Sequence, residues 1–173
     1  MLENAYPFTF IQRRKKGDTG FLFCSLYTFK STKSKLRYIV MIEEYEYKIY
    51  AVKFYLKSNS NSEKKYSLLT NTNEPRRIIY TCINIMISIY EKDKSASFGF
   101  IGANSEGENV CCTKRYRIYS RLIATYFSDK YFVHKENKEK SAYMLINRKE
   151  LEHNIDLISQ IEEFFITQYE YFE

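Results

Sequence analysis

Glycine and proline are scarce in this chain, and tryptophan is absent. Only five of the 173 residues are glycine and two are proline, while 45% are hydrophobic. Disordered and collagen-like chains have the opposite composition, so both classes are excluded. A chain of this length buries one core rather than two full-sized ones. The sequence therefore predicts a single folded domain with room for an appended helix.

Long apolar runs are also missing. The longest, residues 78–90, contains Thr81, Asn84 and Ser88 and falls short of the roughly 20 residues that span a bilayer. In residues 1–16 the basic cluster follows the apolar residues, which is the reverse of a secretory signal. We therefore expect no membrane segment and a cytoplasmic location.

Cysteine and histidine are too few and too poorly spaced for a disulfide framework or a metal site. The four cysteines lack C-x-x-C spacing, and two of them are adjacent at 111–112, a geometry that disfavours pairing. A zinc site would need His134 and His153, both expected at the surface, to meet distant ligands. We expect reduced thiols, no metal and no cofactor, with Cys24 and Cys82 buried as small apolar residues.

Charge is unevenly distributed along the chain. Residues 151–173 hold six acidic residues and no lysine or arginine, so the preceding 150 residues carry a net charge of +12 although the whole chain carries +6. A basic body attracts phosphates, and an acidic segment either covers that surface or binds a partner. Because an AT-rich genome produces similar lysine-rich usage, charge alone leaves nucleic-acid binding open.

The first half of the chain is predicted to form strands separated by turns. Aromatic and β-branched runs lie at residues 6–11, 21–29 and 37–43. In residues 45–56 the apolar positions change from odd to even numbers near Ala51, which predicts a β-bulge or bend there. A polar loop is expected at 58–65. The adjacent carboxylates at 43–44 and 162–163 are expected at solvated edges.

The second half is predicted to alternate helices and strands. Thr72 or Asn73 caps a largely buried helix that has Pro75 in its first turn, and a central strand follows at residues 97–103. Thr113 then caps a helix with two different faces. One face is apolar, with Tyr116, Tyr119, Leu122, Ile123 and Tyr126. The other face carries what we call the basic stripe, Lys114, Arg117 and Arg121.

The end of the chain is predicted to be a hairpin over 130–146 followed by one helix. Asn147 and Glu150 resemble a capping box that begins this helix. Its inward residues are expected to be Leu151, Ile155, Ile158, Phe165 and Tyr169. The prediction is one domain over 1–147 and an acidic helix over 148–173 that packs on the domain or on a partner, including a second copy.

Two stretches carry a resemblance to known families. Arg115-Tyr116-Arg117-Ile118-Tyr119 is similar to the R-x-R-aliphatic-aromatic motif of small uncharacterised domains from Bacteroidota, which follows an F-x-F or F-x-x-G strand, here residues 98–102. The order of strands, buried helix, strand, helix and hairpin resembles the core of GNAT acyltransferases. Over roughly residues 75–147 the resemblance implies an α/β or α+β fold with a mixed, mainly antiparallel sheet and packed helices.

The GNAT resemblance also implies a catalytic candidate. In those enzymes an aliphatic-Tyr pair supplies the phenol that protonates the departing CoA thiolate, and Ile118-Tyr119 is similar to that pair. However, the glycine turn that holds the CoA pyrophosphate is missing, because residues 69–77 contain no glycine and include Pro75, which lacks an amide donor. We therefore expect a degenerate relative of these enzymes. A tyrosine at the position of Tyr119 is more often a packed core residue than a general acid.

Several arginines are candidates for anion binding. Arg115 and Arg117 together can grip a phosphate or carboxylate. Alternatively, Arg115 pairs with a carboxylate of Glu106 or Glu108 and holds the loop. Two further candidates are Arg76 and Arg77. Their side chains either attract an anion or are ordinary solvated charges.

The favoured function is a non-catalytic or degenerate binding module for an anionic partner, which is nucleic acid, a nucleotide or an acidic protein surface. It acts through the basic loop at 13–16 and the basic stripe. Compact Bacteroidota proteins of this kind often belong to accessory operons, so analogy alone predicts a toxin-antitoxin or phage-defence context. Two alternatives stay open: an acyl-CoA-dependent N-acyltransferase and a structural subunit of a protein complex.

Overall fold

A computed structural model describes residues 2–15, 20–68, 72–105 and 107–168, the last five of these as backbone. Within these residues the chain forms seven strands and four helices, which are β1 (Phe8–Lys15), β2 (Phe23–Lys30), β3 (Arg37–Tyr45), β4 (Ile49–Leu56), α1 (Pro75–Lys92), β5 (Ser97–Ile101), α2 (Lys114–Tyr126), β6 (Phe132–Asn137), β7 (Ala142–Asn147), α3 (Arg148–His153) and α4 (Leu157–Gln168).

The strands form one sheet in the order β1-β2-β3-β4-β5-β7-β6. The β4–β5 pair is parallel and the other pairs are antiparallel. This confirms the predicted α+β class with a mixed, mainly antiparallel sheet. Among the described helices, none combines the length with the apolar character needed to span a bilayer.

Two apolar cores cover opposite faces of the sheet. The larger core packs α1 and α2 on the sheet, and its most deeply buried side chains include Tyr38, Val40, Ile83 and Phe98. The smaller core packs Leu157 and Ile161 of α4 on Tyr45, Ile49, Ala51 and Ile146. A sheet covered on both faces needs apolar residues at both odd and even positions of its central strands.

That arrangement explains why the bulge predicted near Ala51 was wrong. β3 and β4 pair in continuous register, and a 3-10 turn at Glu46–Lys48 reverses the chain between them. Tyr50 faces the larger core, whereas Ile49 and Ala51 face the smaller one. The apolar positions therefore change from odd to even numbers because both faces of β4 are buried. The side chains of β4 alternate between the two faces without interruption.

The carboxylates at 43–44 are buried, contrary to the expectation of solvated edges. Glu43 forms an ion pair with Lys53 at 2.6 Å, and Glu44 forms one with Arg13 at 2.6 Å. Arg13 lies in β1, so residues 13–15 belong to a strand and not to the predicted basic loop. Cross-strand cations offset the cost of burying each carboxylate.

Helix α1 begins at Pro75 as predicted, but Glu74 rather than Thr72 or Asn73 is its N-cap residue. The Glu74 carboxylate is buried and accepts hydrogen bonds from the phenol of Tyr6 and, at 2.7 Å, from the hydroxyl of Ser31. These bonds join the amino-terminal segment and the β2–β3 turn to the start of α1.

In place of the single helix expected over 148–173, the described residues 148–168 form two helices. Asn147 caps α3 as predicted, accepting a bond from the Lys149 amide at 3.0 Å, but α3 ends at His153. After this break, Ile155 is 89% exposed instead of buried, and Leu157 turns inward. The predicted inward positions Phe165 and Tyr169 lie outside the described side chains.

Candidate functional site

A cleft opens where β4 and β5 diverge. The two strands pair at three positions, of which Ala51–Gly99 is the last. Beyond it β4 stays paired with β3 as far as Leu56, and β5 stays paired with β7 as far as Ile101. The gap contains a cavity of about 640 Å³, a volume within the range of small-molecule sites.

Three parts of the fold wall this cleft. On the β4 side the walls include Leu56, Pro75 and Ile78, and on the β5 side they include Ala103, Lys114 and Ile118. The loop that follows β4 supplies the third wall through Glu63 and residues 65–68. The first turns of α1 and α2 therefore both line the cleft.

Aromatic rings make much of the lining. The ring of Tyr119 lies 5.9 Å from that of Phe54 and 5.6 Å from that of Phe100, and Phe100 stacks on Tyr143 at 5.4 Å. Burial raises the pKa of Tyr119 above its ordinary value, which makes this phenol a weaker acid than an exposed tyrosine. Tyr119 is thus both a packed aromatic residue and part of the cleft wall.

Arg115 fastens the loop to the rest of the cleft. Its Nη1 nitrogen donates to the carbonyl oxygens of Tyr66 at 2.6 Å and Ala103 at 3.2 Å. Its Nη2 nitrogen donates to the carbonyl oxygens of Ser67 at 3.0 Å and Leu68 at 2.9 Å. One planar guanidinium therefore joins three consecutive loop carbonyls to the end of β5, which only its fork of donors allows.

Arg115 does hold a loop, but not the predicted one: it contacts backbone carbonyls of residues 66–68 after β4 instead of a carboxylate in the loop before α2. Glu108 instead accepts hydrogen bonds from the backbone amides of Lys114 at 2.7 Å and Ser105 at 2.9 Å. These two amides lower the pKa of Glu108. Glu106, the other predicted partner, lies outside the described residues. Glu108 thus occupies an amide at the start of α2 that would otherwise be open to an external anion.

The three residues of the basic stripe are exposed along α2. Of these three, Lys114 also lines the cleft, while Arg117 and Arg121 lie further along the helix. The structure thus brings one end of the stripe to the opening of the cleft.

The two arginines at the start of α1 differ in their surroundings. Arg76 is exposed. Arg77 donates from Nε to the carbonyl oxygen of Asn4 at 3.1 Å, and its guanidinium lies 4.2 Å from the centroid of the Tyr6 ring. Arg77 therefore holds the amino-terminal segment on α1.

Sequence reasoning missed several polar contacts near the cleft. His134, expected at the surface, is half-buried, and its Nδ1 lies 2.7 Å from the phenol oxygen of Tyr143. Lys65 Nζ lies 4.9 Å from the centroid of the Tyr55 ring. The polar composition of 58–65 indicated a loop, and no local pattern indicated that this loop covers a cavity.

Comparison with protein-family models, with curated proteins and with solved structures found no match for this chain. Across the part of the chain that the structure describes, no group of three or more His, Cys, Asp or Glu residues is placed to hold a metal ion. A functional assignment must therefore rest on the side chains of the cleft itself.

Proposed function

We propose that this protein is a non-catalytic binding module whose cleft takes a small organic anion with a mainly apolar body. The observation that carries the proposal is the divergence of β4 and β5, which opens an aromatic-lined cavity with Lys114 at its wall. A concave, mainly apolar pocket of this volume with a few polar groups in its wall is typical of a small-molecule site.

The charges around the cleft favour an anion. Lys65 and Lys114 line it on the loop side and the α2 side, and Glu63 is the acidic residue beside them. Lys53, another lining residue, is bound to Glu43. The lining also includes Arg115 and Lys140. An excess of cationic over acidic side chains around one cavity raises the local concentration of small anions and orients the charged end of a ligand.

The apolar body of the ligand is supported by the rings of Phe54, Phe100 and Tyr119. These rings are preformed, because each contacts another aromatic ring of the lining. A rigid apolar wall binds apolar groups with little loss of side-chain freedom.

Calorimetric titration with decanoate tests the proposal, because this probe has one carboxylate and an apolar chain. We expect binding that Ala103→Trp abolishes by filling the cavity, whereas Ala124→Trp, on the exposed face of α2, leaves it unchanged. Lys114→Ala should weaken binding about tenfold, the effect of losing one charge-assisted contact, while Arg121→Ala should not. No binding by the wild type, or equal binding by both tryptophan variants, would contradict the proposal.

An acyl-CoA-dependent acyltransferase is a second candidate, favoured by the position of Tyr119 in the cleft wall. We expect millimolar acetyl-CoA to leave the melting temperature unchanged, because Pro75 at the start of α1 offers no amide to a pyrophosphate. A rise of several degrees that Tyr119→Phe removes would favour the enzyme, since a ligand that binds the native state stabilises it.

Nucleic acid is a further candidate partner, favoured by the exposure of Arg117 and Arg121. A protein partner or second copy through residues 148–173 also stays a prediction, although Leu157 and Ile161 already pack on the sheet of their own chain. The cytoplasmic location and the toxin-antitoxin or phage-defence context stay predictions too.

A further inference from the structure

Two neighbouring thiols converge in the loop before α2. The sulfur of Cys111 lies 3.5 Å from that of Cys112, and Cys111 is exposed while Cys112 is half-buried. Successive side chains of an extended chain point in opposite directions. Cys112 departs from that arrangement because its φ is +54°, in the left-handed region that residues other than glycine rarely adopt. Both thiols therefore lie on the same side of the loop.

Neighbouring residues fix the backbone that carries the two thiols. The amide of Cys112 donates to the carbonyl oxygen of Lys138 at 2.9 Å. The hydroxyl of Ser141 donates to the carbonyl oxygen of Val110 at 2.5 Å and accepts from the amide of Thr113 at 2.9 Å. A left-handed conformation at such a residue persists only where the surrounding structure holds it, and positions of this kind concentrate at binding sites. The pair of thiols is thus preformed by the fold.

The separation of the sulfurs limits what the pair can bind. A disulfide fits poorly, because adjacent α-carbons are about 3.8 Å apart, below the range of roughly 4.4–6.8 Å that disulfides span. A tetrahedral zinc ion needs further ligands, and among the described residues no group of three or more His, Cys, Asp or Glu is placed to hold a metal ion. A linear two-coordinate ion with bonds of the Zn–S length would hold its sulfurs about 4.6 Å apart. The site therefore suits a centre that bonds to two sulfurs at a narrow angle.

We infer that Cys111 and Cys112 form a binding site for trivalent arsenic, which bonds to both sulfurs. A trivalent arsenic centre is pyramidal with bond angles near a right angle, so bonds as long as the Zn–S bond, about 2.3 Å, separate two sulfurs by roughly 3.3 Å. Sulfur ligands favour soft centres of this kind. With an organoarsenic oxide, two As–S bonds form, the As–O bond breaks, and the oxygen leaves as water with both thiol protons. Arsenic stays trivalent, so the step needs no oxidant or reductant.

The test adds phenylarsine oxide to the whole chain in an excess of glutathione and measures the adduct by intact-mass spectrometry. We expect one phenylarsenic group per chain, released by the dithiol 2,3-dimercaptopropanol. Cys111→Ser and Cys112→Ser should each lower the affinity at least about 100-fold, because the second As–S bond closes a ring within one molecule. Cys24→Ser, which removes a half-buried thiol of β2, is the matched control and should leave the affinity unchanged.

A synthetic peptide of residues 108–116 separates the fold from the sequence, because it carries the same two cysteines without the contacts that fix them. The protein should bind phenylarsine oxide at least about tenfold more tightly than the peptide, since its thiols are already in place. The probe should also raise the melting temperature of the protein, because a ligand that prefers the native state stabilises it.

Three results would overturn the inference. The first is the absence of an adduct on the wild type. The second is an adduct that survives in either the Cys111 or the Cys112 variant or is lost in Cys24→Ser, since arsenic would then bind elsewhere. The third is equal affinity for protein and peptide with an unchanged melting temperature, since the fold would then build no site. Each of these results leaves the proposed function of the cleft as it stands, because decanoate binding is measured separately.

Discussion

A β-carbon placed on Gly102 would lie 2.5 Å from the backbone nitrogen of Tyr116. The end of β5 therefore touches the first turn of α2 directly, an approach that only glycine permits. Thr113 fixes the same contact, because its hydroxyl donates to the carbonyl oxygen of Gly102 at 2.6 Å and accepts from the amide of Tyr116 at 3.1 Å. This contact sets the distance between α2 and the strand edge that borders the cleft.

Gly102→Ala should destabilise the protein by about 1–3 kcal/mol, because the added methyl overpacks a backbone contact that has little room to relax. It should also weaken decanoate binding by displacing α2. Gly107→Ala serves as the comparison, since its β-carbon would meet no atom within 4 Å and its φ of +76° imposes only local strain. Urea unfolding of both variants measures the difference, and equal losses would contradict the proposed cause.

Arg115→Lys should loosen the loop that follows β4. Lysine keeps the charge but cannot place donors on the carbonyls of Tyr66, Ser67 and Leu68 together. We expect peptides covering residues 57–68 to exchange amide hydrogens faster, with a loss of about 1–2 kcal/mol in global stability. Arg117→Lys, at an exposed position of the same helix, should change neither. Unchanged exchange in Arg115→Lys would show that the loop is held by other contacts.

Glu74 should contribute to a pH-dependent part of the stability. Burial raises the pKa of its carboxyl, but hydrogen bonds from Ser34, Tyr6 and Ser31 outweigh burial and leave the pKa below 4.5, its ordinary value. A lowered native pKa stabilises the fold above the unfolded value, and this contribution is lost as the pH falls through the native value.

Glu74→Gln should therefore be less stable than wild type at pH 7, and the difference should shrink below about pH 4.5, where the carboxyl protonates first in the unfolded chain. Urea unfolding of both proteins between pH 7 and pH 3 measures it. Comparing the two proteins removes the titration of groups they share. A constant or growing difference at low pH would contradict a lowered pKa.

Ile161→Ala should destabilise the protein by about 2–5 kcal/mol, because it empties a buried position in the smaller core. Ile155→Ala should change the stability by less than about 0.5 kcal/mol, since Ile155 is exposed.

Truncation after Asn147 should uncover Ile49 and Ile146 and cause aggregation or a change of mass, seen by light scattering. A soluble truncated protein of unchanged behaviour would show that α4 is dispensable.

If the basic stripe binds nucleic acid, affinity should fall steeply with salt, and the slope should shrink by about one unit for each phosphate-contacting cation removed. The double variant Arg117→Glu with Arg121→Glu should abolish binding without unfolding. The same reversal at Lys30 and Arg37, exposed cations at the end of β2 and the start of β3, is the matched control. Unchanged binding by the double variant would exclude the stripe.

Features that depend on neighbouring residues were predictable from the sequence. Pro75 at the first position of α1, Thr113 as the cap of α2 and Asn147 as the cap of α3 follow from local hydrogen bonding and steric limits. The exposed stripe of α2 follows from helical spacing alone. These features need no knowledge of what the element packs against.

Only the tertiary structure decided which surfaces are covered and which side chains meet. Glu43 is buried because Lys53 lies beside it on the next strand, and Arg115 contacts carbonyls 47 to 49 residues away in the chain. Ile155 fits the apolar spacing of one continuous helix. It is exposed because α3 ends at His153 and α4 begins only at Leu157. The cleft itself arises from the divergence of two strands separated by a whole helix, so no local pattern encodes it. Apolar periodicity in the sequence indicates which face of an element is buried. A cavity depends instead on the distance between elements that are far apart in the chain, and packing fixes that distance.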